Sequence, residues 1–310
     1  MPELIADIPL YATFTAIEPL NKGWSSDKKY RVETAGGGRF LLRLADISEY
    51  EHKKAEFENM RRVAASGIPM QQPVLFGICS SGKSVYLLLT WVDGEDLQEV
   101  LPLLSKTEQY ALGLEAGKIL KKMHTLYTTS PSDDWLNGYG AKLDNYIRNY
   151  QNCDYTFEGD SILIEYLQNN RHLLGKRPLC LTHDDYHPGN MIFTADKKLS
   201  LIDFQRLRMV EPFHAFSGLC FPAKYSPRFA TGQIHGYFDG EPPTDFWRLL
   251  SLYMAAIAVN NLPWSVPYGQ GEIDFAYEQI ADILRWYDNF TRLVPSWYPR
   301  DHTFNEAVIS

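Results

Sequence analysis

The sequence predicts an α+β fold with a small β-rich N-terminal lobe containing one main helix and a larger, mostly helical C-terminal lobe. Up to position 92, short β-rich runs bounded by glycine turns surround one long charged helical segment. After Asp93-Gly94 the apolar residues recur mainly at helical spacing, interrupted by a few short strands. We therefore predict lobes at residues 1–92 and 93–310.

The N-terminal lobe has the predicted order β-β-α-β-β. Lys29–Thr34 and Arg39–Leu44 flank a run of three glycines, which supply the positive φ angles of a tight hairpin turn. Glu49–Ala65 is charged and unbroken, and the glycine and proline that follow it predict that this helix ends there. Val74–Cys79 and Val85–Trp91 are β-rich and joined by a short polar turn, which predicts a second hairpin.

The C-terminal lobe begins with a helix that is opened by the capping-box pattern Ser105-x-x-Glu108. Further helical patterns lie at Asp160–Leu174 and from Asp245 onward. Between them are three predicted short strands, Leu179–Thr182, Met191–Thr194 and Leu199–Ile202. The segment 205–245 stays unassigned, and within it Phe229–Phe238, with two glycines, is a candidate lid or cap.

Net charge separates the possible partners. The 310-residue chain carries a formal charge of −8, which disfavours nucleic acid because phosphate-backbone sites need clustered Lys and Arg. From Thr231 to the end there are ten acidic residues and four arginines, so −6 of the −8 falls in this last part. An acidic, aromatic-rich region favours a cationic small molecule, since carboxylates attract ammonium groups and aromatic rings bind quaternary ammonium.

The sequence also indicates the cellular compartment. None of the four cysteines has C-x-x-C spacing, which favours free thiols in a reducing cytoplasm. The N-terminus lacks the basic start and apolar stretch of a signal peptide. The longest apolar run, Leu249–Val259, is shorter than the roughly 20 residues of a membrane span. We expect a cytoplasmic protein without a membrane partner, as a monomer or dimer.

The densest polar segment lies between two apolar strands and contains the pattern H-x-D-x-x-x-x-N at His183, Asp185 and Asn190. Another carboxylate, Asp203, follows the apolar strand Leu199–Ile202. Phosphoryl transfer to a hydroxyl needs one carboxylate to orient the acceptor and take its proton. It also needs oxygen ligands for Mg²⁺, such as an amide oxygen and a second carboxylate. The pattern therefore predicts Asp185 as the catalytic base, and Asn190 and Asp203 as metal ligands.

The stretch His183–Asp203 closely resembles the aminoglycoside phosphotransferase and choline kinase superfamily, whose fold is protein-kinase-like. The resemblance implies a nucleotide, ATP or GTP, bound with Mg²⁺ by the N-terminal lobe. In that lobe Arg43 ends the strand whose cation contacts the phosphates, and Glu56 is the acid that pairs with it. Thr90 and Val92 lie on the strand and hinge along which the base stacks. Lys118–His124 resembles the helix that precedes the catalytic segment.

Two departures from the family pattern stand out. The phosphate loop, residues 20–27, has a single glycine, so the resemblance places Ser25 and Ser26 at the phosphates without a glycine-rich motif. The family usually has an Asp about a dozen residues after the metal-binding Asp, but this chain has Glu211-Pro212 there. The local support of the metal site is therefore the weakest part of the resemblance.

The function predicted is a phosphotransferase that uses ATP or GTP and Mg²⁺ to phosphorylate a hydroxyl of a small cationic molecule, with an aminoglycoside-type antibiotic as the leading acceptor. Choline, homoserine or sugar-type metabolites are alternative acceptors. A metallohydrolase using His183, Asp184, Asp185 and His187 is an alternative from another class, although Pro188-Gly189 prevents one helix from presenting both imidazoles. A non-catalytic nucleotide binder is a third, disfavoured by the complete Asp185, Asn190 and Asp203 set.

Overall fold

The structure is a computed structural model that describes residues 5–20 and 26–299. Its strands are β1 (Phe14–Leu20), β2 (Lys28–Thr34), β3 (Arg39–Asp46), β4 (Pro73–Cys79), β5 (Ser84–Thr90), β6 (Glu95–Asp96), β7 (Cys180–His183), β8 (Met191–Phe193), β9 (Leu199–Leu201) and β10 (Leu207–Val210). Its helices are α1 (Tyr50–Ala65), α2 (Leu97–Val100), α3 (Lys106–His124), α4 (Asp134–Gln151), α5 (Asp160–Asn170), α6 (Pro222–Tyr225), α7 (Pro227–Phe238), α8 (Thr244–Ser265) and α9 (Gln270–Trp286). The predicted α+β fold, with a β-rich N-terminal part and a mostly helical C-terminal part, is confirmed.

The described chain divides into two units. The first contains the residues up to Asp96 together with Asn190–Leu207, and the second contains Leu97–Gly189 and the residues from Arg208 onward. This division differs from the boundary at 92/93 chiefly in the β8–β9 hairpin, which groups with the first unit. The reason is that β8 pairs with β6, and β9 forms a bridge from Leu201 to Met70.

The first unit is built on an antiparallel sheet whose described strands have the order β1-β2-β3-β5-β4. Both predicted hairpins are present, β2 with β3 and β4 with β5. One sheet face carries an apolar cluster that includes Tyr30, Val32 and Leu42. Because side chains alternate along a strand, Lys29 and Arg43, which are opposite each other in the β2–β3 register, lie on the other face. The sheet thus separates an apolar face from a charged one.

In the second unit, α3 and α7 pack with their backbones almost in contact. Each helix carries two glycines four residues apart, Gly113 and Gly117 on α3 and Gly232 and Gly236 on α7. A Cβ atom added at any of the four would lie well inside 3.0 Å of a backbone oxygen of the opposite helix. The residues 229–238, a candidate lid or cap from sequence, therefore form a tightly packed core helix.

The longest helix of the second unit, α8, lies among α4, α5 and α9. Together with the turn that continues it to Tyr268, it is the one stretch of the described residues long and apolar enough to cross a membrane. The apolar run Leu249–Val259 alone predicts no membrane span, because it is shorter than the roughly 20 residues required. About two thirds of the apolar window, 67%, is buried inside the fold, as is usual for a core helix.

The close approach of α3 and α7 predicts a steep cost for adding one methyl group at their contact. We expect Gly232→Ala to lower the free energy of unfolding by about 1–3 kcal/mol or more, because the new Cβ would collide with the Tyr110 carbonyl and force the helices apart. Denaturant unfolding measures this change.

The matched control is Gly138→Ala in the exposed first half of α4, where an added Cβ meets nothing within 4 Å. This change should leave stability unaltered or raise it by about 0.5–1 kcal/mol, since alanine restricts the unfolded chain. Equal effects of the two substitutions would contradict the backbone contact.

Candidate active site

The segment that follows β7 is anchored on α3 by side chains. Thr182 Oγ1 lies 2.8 Å from Nε2 of His124, and Tyr186 donates its hydroxyl to the Ala116 carbonyl at 2.7 Å. The backbone N–H of His183 points at the Met123 sulfur, 3.3 Å away. His183 itself is buried. Helix α3 therefore fixes the backbone on which the predicted catalytic residues stand.

Asp184 is held on its other side by two basic residues. Its carboxylate accepts hydrogen bonds from Arg208 and lies 2.6 Å from His214 Nδ1, and its side chain is only 2% exposed. Burial alone would raise its pKa, but His214 and Arg208 hold the pKa of Asp184 well below the ordinary value. Asp184 is therefore a buried, ion-paired residue that anchors the loop to β10 and to the turn that follows it.

Asp185, between these anchored neighbours, keeps an accessible carboxylate. Its side chain is 32% exposed, and its Oδ1 lies 3.6 Å from Nε2 of His187. Because Asp184 and Tyr186 are both fixed in the interior, the direction of Asp185 is set by the backbone between them. A partly exposed carboxylate is accessible to a substrate hydroxyl. Because its neighbours are anchored, it also has the defined position that proton transfer requires.

The two predicted metal ligands, Asn190 and Asp203, both belong to the first unit. Asn190 immediately precedes β8 and Asp203 follows β9, and the Ile202 N–H donates to the Asn190 carbonyl at 3.0 Å. The two residues therefore stand at the same end of one hairpin. Asp203 has a left-handed backbone with a φ of 59°, which costs a non-glycine residue about 1 kcal/mol. Asn190 and Asp203 supply an amide and a carboxylate, the kinds of oxygen ligand that suit Mg²⁺, a hard cation.

Glu211, at the position where the family usually has an Asp, has a structural role in the second unit. It is completely buried, accepts from Arg177 at 2.9 Å and from the Tyr253 hydroxyl at 2.9 Å, and caps the following 3-10 turn by accepting from the backbone N–H groups of Phe213 and His214. Burial raises the pKa of Glu211 although Arg177 opposes the shift. The Glu-Pro pair was the available signal, since an acid before Pro at the first turn is typical of a helix N-terminus.

Arg43 and Glu56 form the ion pair that the family resemblance implied, with Nη1 and Oε1 2.5 Å apart. The structure adds two further residues. Asp27 Oδ2 accepts from Arg43 Nε at 3.1 Å and Nη2 at 2.6 Å, and also from Lys53 Nζ at 2.7 Å. All four side chains are 5% exposed or less. Burial alone would raise the pKa of Asp27, yet Arg43 and Lys53 bring it below the ordinary value.

This four-residue ion cluster contains two cations and two anions, so its formal charges cancel. Removing one partner of a buried ion pair usually costs about 3–5 kcal/mol, because the other charge stays buried without compensation. The cluster therefore ties the start of β2 (Asp27), the middle of β3 (Arg43) and helix α1 together. Lys53 and Asp27 were not predicted as part of the site; the spacing of Lys53 and Glu56, one helical turn apart, was the only sequence signal.

The predicted base-binding strand ends in an irregular segment. Thr90 donates its N–H to the Gln72 carbonyl at 2.9 Å, and its own carbonyl accepts from Gln71 Nε2 at 3.0 Å. Val92, two residues on, is half-buried and outside any strand. Ser26 is exposed, and Ser25 lies outside the described residues. Nucleotide contacts of these residues stay predictions.

The rival metal cluster does not form. The Asp184 carboxylate is bonded to Arg208 and His214. It is therefore not available as a ligand in a metal site formed with His183, Asp185 and His187. Across residues 5–20 and 26–299, no group of three or more His, Cys, Asp or Glu side chains is arranged to hold a metal ion.

The acidic residues of the last part of the chain are largely paired with nearby polar groups. Among the described residues, carboxylates that suggested a cationic substrate contact basic side chains in four pairs: Asp239 with Lys121, Asp245 with Arg177, Glu278 with Lys224, and Asp282 with Arg285. Lys121, Arg177 and Lys224 lie outside this region, so those three pairs each offset one of its six net negative charges, whereas Arg285 is already included in the net charge. The negative charge of this region is therefore a weaker argument for a cationic acceptor than the sequence suggests.

Together, the fold and these residues define a protein-kinase-like phosphotransferase. A model of the phosphotransferase enzyme family (APH) matches residues 16–247, and the chain belongs to that family. The resemblance seen in the sequence is thereby confirmed. None of the curated proteins matches the chain by sequence.

Solved structures share the fold at low sequence identity. A choline/ethanolamine kinase family protein from Mesorhizobium loti is 16% identical with a TM-score of 0.67, covering 93% of this chain and 95% of its own. A thermostable mutant of aminoglycoside phosphotransferase APH(4)-Ia is 16% identical with a TM-score of 0.65, covering 91% and 97%. Spectinomycin phosphotransferase APH(9)-Ia, in complex with ADP and spectinomycin, is 12% identical with a TM-score of 0.63, covering 88% and 91%.

The anchoring of the loop by His124 predicts a specific pH dependence of stability. Burial lowers the pKa of His124 to about 3, whereas an unfolded histidine titrates near about 6.5. Between these values the unfolded chain binds more protons, so stability must fall as the pH is lowered. We expect the wild type to lose about 2 kcal/mol more than His124→Gln between about pH 7 and about pH 5.

Denaturant unfolding at several pH values measures this difference. All other titrating groups are common to both proteins, so the difference between the two curves isolates His124. Parallel curves would show that the ring is protonated in the folded state as readily as in the unfolded chain.

Proposed function

We propose that this chain transfers the γ-phosphoryl group of ATP or GTP to a hydroxyl of a small, amine-bearing alcohol. The observation that carries the proposal is the catalytic loop. Asp184 and Tyr186 are anchored in the interior while Asp185, between them, keeps a partly exposed carboxylate. Such a group accepts the proton of an acceptor hydroxyl as its oxygen attacks the γ-phosphorus, and ADP or GDP leaves.

The roles of the remaining residues follow from their positions. Asn190 and Asp203 would hold Mg²⁺, whose contribution when bound is to neutralise the charge of the phosphate groups. The hairpin holds these two residues in a fixed relation, so little reorganisation is needed when the nucleotide arrives. Thr90, Val92 and Ser26 are the proposed contacts of the nucleotide in the first unit.

The acceptor is proposed from similarity as well as from chemistry. Structures that share this fold include aminoglycoside phosphotransferases, one of them in complex with gentamicin, and a choline/ethanolamine kinase family protein. Both groups of compounds are amine-bearing alcohols, and the aminoglycoside type is our first candidate. If it is correct, the enzyme inactivates an antibiotic.

A substrate panel tests the acceptor. Aminoglycosides, spectinomycin, choline, ethanolamine, homoserine and sugars would each be incubated with ATP or GTP and Mg²⁺, with nucleoside diphosphate release coupled to absorbance and the product mass recorded. Phosphorylated aminoglycoside is the expected product. Turnover of choline or a sugar alone would keep the phosphotransferase and reject the antibiotic, whereas nucleotide binding without any transfer would indicate a binder.

Substitutions test the assigned roles. We expect Asp185→Asn to lower kcat about 10²- to 10⁴-fold with little effect on nucleotide KM, because it removes only the proton acceptor. Asp203→Asn should lower kcat and require more Mg²⁺ for half-maximal activity. The readout is a steady-state titration of acceptor, nucleotide and Mg²⁺.

The matched control is Asp196→Asn in the exposed turn of the same β8–β9 hairpin. It removes a carboxylate of the hairpin without touching Asn190 or Asp203, so its kinetics should equal those of the wild type. A fully active Asp203→Asn enzyme would refute the metal assignment, and a fully active Asp185→Asn enzyme would refute the base.

A further inference from the structure

The charged face of the first unit's sheet carries two cations at neighbouring positions, and their surroundings differ. Lys29 on β2 and Arg43 on β3 are directly opposite each other in the antiparallel register. Cross-strand partners lie on the same face with their Cβ atoms only about 5 Å apart. Either cation could therefore contact the phosphates of a nucleotide bound on this face. The carboxylates that each cation already contacts decide which of the two is better suited.

Arg43 already has two carboxylate partners. Nε and Nη2 donate to Asp27, while Nη1 donates to Glu56. Its side chain is 2% exposed. Most of its N–H groups are already directed at these two carboxylates, so turning the guanidinium toward a phosphate would weaken both buried contacts, which is unfavourable in a low-dielectric interior. The arrangement makes Arg43 a positioning residue that holds β3 to α1.

Lys29 faces the metal-ligand end of the hairpin. Its Nζ lies 3.8 Å from Oδ2 of Asp203, too far for a hydrogen bond but close enough for charge attraction. Its side chain is 13% exposed and that of Asp203 is 36% exposed, so this pair is more open to an incoming ligand than the Arg43 cluster. A lysine ammonium is a compact point charge with three donors, well suited to phosphate oxygens.

We propose that Lys29 supplies the cation that binds the nucleotide phosphates beside Asp203, and that Arg43 holds the strand and helix around it. This inference rests on the proposed nucleotide-dependent function and names a residue of that same site. A polyphosphate bound at Asp203 through a divalent ion would bring anionic oxygens to the Lys29 ammonium. The contact with Asp203 at 3.8 Å would then be supplemented by a bridging phosphate.

Binding calorimetry tests the inference without relying on turnover. ADP with Mg²⁺, and adenosine alone, would be titrated into the wild type, Lys29→Met, Lys29→Arg and Lys28→Met. Lys28 is the matched control because it neighbours Lys29 in sequence, is itself exposed at the edge of the apolar face, and by strand alternation lies on the sheet face opposite Lys29. GDP and guanosine replace the adenine ligands if the wild type prefers them.

We expect Lys29→Met to weaken ADP binding about 10- to 100-fold, the range for losing a charge-assisted contact, and to leave adenosine affinity unchanged because adenosine has no phosphate. Lys29→Arg should restore most of the ADP affinity, and Lys28→Met should match the wild type.

Three outcomes would overturn the proposal. Unchanged ADP affinity in Lys29→Met would assign the phosphates to another cation. An equal loss of ADP and adenosine affinity would show that Lys29 only supports the fold of the pocket. A wild type that binds no nucleotide would reject the proposed function along with the role of Lys29, and the wild-type titration separates this case from the first two.

Discussion

The backbone contact between α3 and α7 is the constraint on which the second unit depends. Because glycine occupies four positions of the contact, the helix backbones come close enough for side chains of α7 to contact residues of α3. His124 of α3 lies 2.8 Å from the Tyr237 hydroxyl of α7, and Tyr110 of α3 lies 2.9 Å from His235. His124 in turn contacts Thr182 at the start of the catalytic loop. The position of Asp185 thus depends on the packing of two helices that it does not belong to.

A different principle organises the first unit. There, four charged side chains bury themselves together and neutralise one another, so the sheet and α1 are joined by ion pairs rather than by apolar packing alone. Such clusters gain less stability than apolar contacts of similar size, but they fix geometry because each charge needs its partner. In this unit the cluster holds β3, α1 and the residue that precedes β2 in a fixed arrangement.

Much of the fold was readable from the sequence because its signals were local. The three-glycine turn, the Ser105 capping box and the H-x-D-x-x-x-x-N spacing each lie within a few residues, and the structure contains the corresponding hairpin, helix N-terminus and loop. What sequence reasoning missed depends on long-range contacts. Phe229–Phe238 was a possible lid because its glycines look flexible in isolation, and only the partner helix shows why they are needed. The pairing of Asp27 with Arg43 joins residues 16 apart, and no local pattern predicts it.

Long-range contacts also explain why the two structural units differ from the lobes predicted at residues 1–92 and 93–310. The β8–β9 hairpin follows the catalytic loop directly in sequence, yet it pairs with β6 and Met70 of the first unit. The charge argument met a similar limit, since a sum over residues 231–310 cannot show that Asp245 and Glu278 are already paired with bases. Composition gives only the net charge of a region, whereas binding specificity depends on which charged side chains have no nearby group of opposite charge.

The left-handed backbone of Asp203 has a consequence for laboratory evolution. Glycine and asparagine adopt this conformation more readily than most residues, so a library selected only for thermal tolerance should enrich them at position 203. Under the metal-binding role proposed for Asp203, such clones would be well folded and catalytically impaired. A survey that measures both the cellular abundance and the catalytic turnover of variants would then identify position 203. Selection for folding and selection for catalysis would favour different residues there.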